Sequence, residues 1–509
     1  MKTLAFQKNK FDLRNTLRKT SALWPILFLV IGAFCGIVVL KSPLFAILLL
    51  MALPTLYILL RRPEIIVLTL VVLISSIVYE EALPKLSVVG GSLHVTDIFL
   101  LALLALIPFR LLTDTKFKLA KTPIDIPLSL FYVSVIISAI ISLLYYHLDF
   151  HIVTGKIRSL SYYLAFFCVT NLVREKKQIT FMIKGLFVIA VFVAVAMLLQ
   201  AGLGDTVQIL PGRVEKAATF GETFEATRII PPGELLVYTI FITTVSVLVT
   251  YKESRTLLAS RYFLALLTLG CGILVTYTRS YWVATILSCG LLGIIVSTKM
   301  KLRLIYVVAM VCIIGLCVVM FFGYEEGKIS KHVRAYSARF GSLFSGKKML
   351  HSETLDWRYK ENEYAIKSIK NHPLFGIGIG NNYRPELFGP KDKLMWYVHN
   401  GFLFILVKTG LVGFLFFMWF YLGFIIRGLA GWKKMGTGLL GAVVVGFSLS
   451  GVGILIINVI KPAFVEWNNI VLFSVVIGLC EAMLRLNRRE DVVGEKAMSI
   501  GRGIGECGW

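Results

Sequence analysis

Apolar stretches close to 20 residues long follow one another along the chain, separated by short segments rich in lysine and arginine. A helix needs about 20 apolar residues to cross a bilayer core of roughly 30 Å, and a backbone in lipid must bond internally. The choice is therefore a helical bundle or a closed barrel. Barrel strands alternate in polarity over about ten residues, whereas these stretches are continuous. The pattern predicts an all-α, polytopic transmembrane bundle. Spans are expected at 22–40, 43–60, 64–80, 96–112, 126–146, 157–173, 179–202, 234–250, 262–277, 281–298, 304–323, 399–426, 436–459 and 468–485.

The charges give this pattern an orientation. With the N-terminus (Lys2, Lys8, Lys10, Arg14, Arg18, Lys19) inside, the other inside connections carry Arg61 and Arg62, Arg110 to Lys121, and Arg174 to Lys177. Lys252 to Arg261, Lys299 to Arg303, Arg427 to Lys434 and the tail from Arg485 follow in the same way. Basic inside loops are the positive-inside bias. About 14 spans (12–14), with both termini cytoplasmic, agree with it. The basic N-terminal stretch is followed by no small-residue cleavage site, which predicts an uncleaved first span.

On this topology 1–21 is a cytoplasmic N-terminus, and 22–250 is an N-terminal transmembrane region with a short outer loop at 203–233. Residues 262–426 form a core, 436–485 the C-terminal spans and 486–509 a cytoplasmic tail. The long outer connection 324–398 is expected to build an extracytoplasmic cap of one or two short helices. In it Trp357, Tyr364 and Ile366 recur among Lys and Glu at roughly helical spacing, and the stretch stops at Asn371-His372-Pro373.

Composition narrows the class further. Only 16% of the 509 residues are charged and 57% are hydrophobic, which excludes an ordinary soluble domain. The net charge of +24 reports topology and contact with anionic lipid, because its lysines and arginines lie in the loops; no nucleic-acid partner is expected. Seven of the eight cysteines fall within apolar runs, so neither a disulfide framework nor a metal site is expected.

Ionisable groups inside spans usually mark function, and few exist here. Lys408 lies inside an expected span, either paired within the bundle or facing a water-filled cavity. A relay of Asp, Glu or His through the bilayer is missing, which argues against a proton-coupled transporter. The outer connections are richer. Arg279 sits in a tight Tyr- and Trp-flanked turn, as an interfacial anchor or a ligand contact. Asp356-Trp357-Arg358 opens the amphipathic stretch, with Arg358 either solvated or bound to a ligand. Gly376 and Gly378 belong to a glycine series after Pro373, a flexible loop or a set of backbone N–H groups able to meet an anion. His399 and Asn400 begin a span, where the histidine is a cap or a base. Arg228 precedes Pro231-Pro232-Gly233-Glu234.

Scattered in sequence, Arg228, Arg279, Arg358 and His399 fall on one membrane surface. Arginine forks suit phosphate oxygens and stabilise charge developing on a diphosphate leaving group. A histidine beside them suits removal of a proton from an attacking hydroxyl.

The series Thr278-Arg279-Ser280, Trp357-Arg358, His372-Pro373-Leu374-Phe375-Gly376-Ile377-Gly378, His399-Asn400-Gly401 and Gly410-Leu411-Val412-Gly413 resembles the O-antigen ligase/O-antigen polymerase superfamily. It departs from that pattern at Thr-Arg-Ser, more often Ser-Arg-Gly, and at Gly401, more often Ser. The resemblance implies a glycan transferase of the bacterial inner membrane, working on its outer face without cofactor or metal. It implies an undecaprenyl diphosphate-linked glycan as donor and lipid A-core, or another glycan, as acceptor. Arg279, Arg358 and His399 carry over as catalytic; Arg228, Gly376, Gly378 and Asn400 are expected to bind substrate. Ligase and polymerase both remain open, and a lipid-linked glycan flippase is the alternative from another class.

Overall fold

The computed structural model describes residues 54–505 apart from 76, 79–82, 84–85, 89–90, 220–221, 253–260, 323, 326–327, 330, 345–352 and 387–393. The chain divides into a short unit, Met1–Arg62, and a large one, Pro63–Trp509. In the first, residues 54–61 are helical. The expected span 22–40 and most of 43–60 lie outside the described residues.

The large unit runs α1 (Pro63–Ile74), the hairpin β1 (Leu86–Val88) and β2 (Gly91–Leu93), then α2 (Val95–Thr113) and α3 (Asp125–Ile140). Next come α4 (Phe150–Ser161), α5 (Ala165–Leu172) and α6 (Lys176–Leu203), then the hairpin β3 (Arg213–Thr219) and β4 (Glu222–Ile230). Helices α7 (Glu234–Thr250), α8 (Arg261–Leu274), α9 (Arg279–Ile295) and α10 (Thr298–Phe322) follow. A small hairpin, β5 (Tyr324–Glu325) and β6 (Lys328–Ile329), leads to α11 (Lys331–Phe344) and α12 (Glu353–Asn371). The chain then ends in α13 (Gly401–Trp432), α14 (Leu439–Ile457) and α15 (Trp467–Gly505).

Six helices are long and apolar enough to cross a membrane: Val95–Thr113, Asp125–Tyr145, Lys176–Leu203, Gly401–Trp432, Leu439–Ile457 and Trp467–Arg488. Helices α1, α7, α8 and α9 are shorter and apolar. The chain is a mostly helical membrane protein, with six such helices among the described residues where about 14 spans are expected. In the expected span 157–173, α4 and α5 are separated by a 3-10 turn at Tyr162–Leu164. Polar anchors hold that turn. Arg158 pairs with Asp97 at 2.8 Å, Tyr162 donates to Asp97, and Tyr163 donates to the Phe464 carbonyl at 2.9 Å.

The core is built on α7 and α14. Every residue of α7 is buried, and α14 is buried along most of its length. Small residues let the two backbones approach, as between membrane helices generally; a Cβ on Gly446 would stand 2.6 Å from Thr243 Cα. Phe464 packs against Tyr421 and Phe417 at centroid distances of 4.7 and 4.9 Å, fixing the loop between α14 and α15. Between α10 and α13 lie α11, of 14 residues, and α12, of 19, which ends two residues before Pro373.

Candidate active site

The turn before α9 brings the first two arginines together. Tyr277 has φ of 49°, a left-handed conformation costly for an aromatic residue. Its ring stacks on Tyr336 of α11 at 4.5 Å, and its carbonyl accepts a hydrogen bond from Arg339. Thr278 stands at the N-cap position of α9, its hydroxyl donating back to Thr276 O at 3.1 Å, and Arg279 is the first helical residue. Strand β4 joins the same turn: the Ile229 amide donates to Val275 O at 3.2 Å, and Arg228 Nε donates to Thr276 O at 3.1 Å. Across the hairpin Glu215 faces Arg228 in register and accepts from its Nη1 at 2.9 Å. Alanines pack where larger side chains would hold strand and turn apart: Ala217, Ala226 and Ala335 are fully buried around Tyr277.

Helix α12 contributes Arg358, which is close enough to Arg228 and Arg279 to feel both charges. Burial, then Arg228 and Arg279, lower the Arg358 guanidinium from its ordinary range, while Glu361 opposes them. Burial and the same two arginines push Arg339 down to about 10. Arg228 is likewise lowered by burial, against the pull of Glu215 and Glu234.

One turn after Arg358 on α12 stands Glu361, fully buried. Its carboxylate oxygens lie 3.2 and 2.9 Å from His399 Nδ1, and Oε2 also accepts the His399 amide at 3.2 Å. With Nδ1–H donating to the carboxylate, Nε2 is the nitrogen left to take a proton. Trp357 and Tyr397 meet the imidazole edge-on at 5.7 and 5.0 Å. Arg384 covers the Trp357 ring at 4.8 Å.

The structure thus brings Arg228, Arg279, Arg358 and His399 into one neighbourhood. It adds Arg339, Glu215 and Glu361, which the motif series did not single out. Glu361 was signalled by its place three residues after Arg358 on an amphipathic stretch, and by the need of any histidine base for an orienting partner. Arg339 follows Tyr336 by one turn in a basic amphipathic segment.

The remaining predicted residues have structural work. Asn400 caps α13, its side chain accepting from the Phe402 and Leu403 amides at 3.0 and 3.2 Å. Gly376 and Gly378 lie where the chain packs closely on its neighbours. Helix α13 breaks at Gly410, where φ is +66°, and the glycine series docks into the break. Pro373 O and Leu374 O accept from the Leu411 and Val412 amides at 2.8 and 3.2 Å, and the Ile377 amide donates to Val407 O at 2.9 Å. The Gly376 amide is bonded to His372 O, and a Cβ there would stand 2.5 Å from Val407 O. A Cβ on Gly378 would meet Ser142 Oγ at 2.3 Å. Lys408, buried beside the break, donates to Asn381 O, so it is paired inside the bundle.

Residues 264–418 match the family model described as O-antigen ligase. The match takes in Arg279, Arg339, Arg358, Glu361 and His399 and leaves Arg228 and Glu215 outside it. No curated protein matches the chain significantly.

Proposed function

We propose that this chain, with its O-antigen ligase domain match at 264–418, is a membrane glycan transferase. It would move a glycan from undecaprenyl diphosphate to an acceptor hydroxyl on the outer face of the bacterial inner membrane. The observation that carries the reading is a group of arginines, Arg228, Arg279, Arg339 and Arg358, that act on one another, with Arg358 also acted on by Glu361, the partner of His399. As the glycosidic C–O bond breaks, its electron pair passes to the diphosphate, and the arginines stabilise that growing charge in a partly dry setting. His399 Nε2 takes the acceptor hydroxyl proton while that oxygen attacks the anomeric carbon from the opposite side, inverting it. Glu361 holds the imidazole and stabilises the imidazolium.

Lipid A-core as acceptor would make the protein a ligase, and a second lipid-linked glycan would make it a polymerase. The test uses purified protein in proteoliposomes with an undecaprenyl diphosphate-linked glycan and each acceptor in turn. Wild type should release undecaprenyl diphosphate, and His399→Ala should not. Donor binding without consumption by any acceptor would reject the transferase and favour the flippase.

A further inference from the structure

We propose that Lys461 is a positioning residue of this site, a two-sided ion bridge that keeps the strand carrying Arg228 in register with His399. Its kinetic consequence rests on the transferase reading above; its structural consequence does not.

Lys461 lies in the loop joining α14 to α15. Its ammonium pairs with Glu234 and stands 3.7 Å from Glu466 Oε2. The first arm leads to the arginines. Glu234 opens α7 directly after Pro231-Pro232-Gly233, the stiff continuation of β4 and Arg228, and Asn468 Nδ2 clasps the Pro232 carbonyl at 2.8 Å. The second arm leads to the histidine. Glu466 accepts from the Tyr397 hydroxyl at 3.3 Å and from Asn469 Nδ2 at 2.7 Å. The Tyr397 ring stands edge-on to His399 at 5.0 Å and 87°. The same loop also holds the start of α13: the Gly401 amide donates to Asn458 O at 2.9 Å. A Cβ at 401 would stand 2.2 Å from Asn458 Oδ1, which accounts for glycine following His399-Asn400 here.

Two carboxylates around one ammonium make the bridge asymmetric. Burial pulls the Lys461 ammonium down, but Glu234 and Glu466 more than reverse this, so it stays charged. Without it two carboxylates face each other, and Glu234 is only 2% exposed. A buried charge that loses its partner must find water. A shift of Glu234 toward water would carry the Pro231-Pro232-Gly233 end of β4 with it, away from the 397–401 segment.

The test uses the full chain in proteoliposomes, with Lys461→Met, Lys461→Arg and Tyr397→Phe beside wild type. His399 carbethoxylation by diethyl pyrocarbonate, followed by peptide mass spectrometry, needs no turnover. Lys461→Met and Tyr397→Phe should label several-fold faster than wild type, and Lys461→Arg, which keeps the charge, should not. In turnover, kcat of Lys461→Met should fall roughly ten- to a hundredfold with donor KM near wild type, the signature of misplacement. Wild-type labelling rates in both Lys461→Met and Tyr397→Phe overturn the proposal, as does a folded Lys461→Arg that behaves like Lys461→Met. Should Lys461→Met fail to fold, Tyr397→Phe alone decides. Altered labelling in a protein that transfers no glycan leaves the bridge standing and removes the transferase reading.

Discussion

Replacing Glu361 by Gln isolates what the carboxylate does for His399. Glu361 is fully buried, and its oxygens reach His399 Nδ1 at 3.2 and 2.9 Å and the backbone amide at 3.2 Å. A hydrogen bond to a charged group contributes about 1.5–3 kcal/mol. At about 1.4 kcal/mol per factor of ten, lost orientation alone slows transfer by roughly ten- to a hundredfold. Glutamine adds a second effect, because its amide can donate to Nδ1 and force the ring proton onto Nε2, the atom that must accept. In the serine protease triad the equivalent change costs about 10⁴ in kcat. The expected loss for Glu361→Gln therefore lies between those limits, and Glu361→Asp, which keeps the charge on a shorter arm, should lose less. The assay is undecaprenyl diphosphate release in proteoliposomes with donor varied, and with the folded fraction set by thermal unfolding. A folded Glu361→Gln with wild-type kcat would show that Glu361 does not orient the base, and His399 would lose that role.

Further outcomes follow from the same geometry. Since the arginines depress one another, a diphosphate should relieve them: inorganic pyrophosphate at 100 times its Kd adds about 2.7 kcal/mol, seen as a higher Tm. Equal stabilisation of Arg279→Gln/Arg358→Gln would exclude the cluster as the binding site. Gly410→Ala forces a Cβ to 2.2 Å from Leu374 O at a φ of +66°, so it should lose about 1–3 kcal/mol or more; an unchanged Tm refutes the docking account. Burial pushes the Lys156 amine, 3.1 Å above the Trp396 ring, down to about 8 from 10.5. Between those values the unfolded chain binds more protons, so stability rises with pH across that window, while below it the full penalty of the buried charge persists. Lys156→Met should flatten that rise in urea titrations, and an identical slope would reject the assignment.

Most of the helices from residue 64 to 485 are legible as apolar runs because lipid leaves a backbone few other choices. The 3-10 turn between α4 and α5 is not, since its anchors Asp97 and Phe464 meet Arg158, Tyr162 and Tyr163 only in the fold. Nor is the β3–β4 hairpin: its strands are short and polar, and they gain their place from alanines packed on Tyr277. Arg279, Arg358 and His399 stand out in the motif series. The pairing of Glu361 with His399, 38 residues away, is tertiary and leaves no local trace.

In the glycine series one sequence pattern is compatible with two kinds of neighbour. Glycine is needed wherever backbone must come within contact of something bulky, and the pattern is the same for a phosphate and for another backbone. At Gly376 the neighbour is Val407 O, and at Gly410 it is Leu374 O, so the two glycines face one contact from opposite sides. That contact closes the hydrogen bonds opened by the break in α13. It also brings the Asn381 carbonyl to the Lys408 ammonium. A buried lysine and a glycine-rich loop, which read in sequence as two separate hints of ligand chemistry, are therefore one structural device. What they share is the anchoring of the loop that precedes Tyr397 and His399.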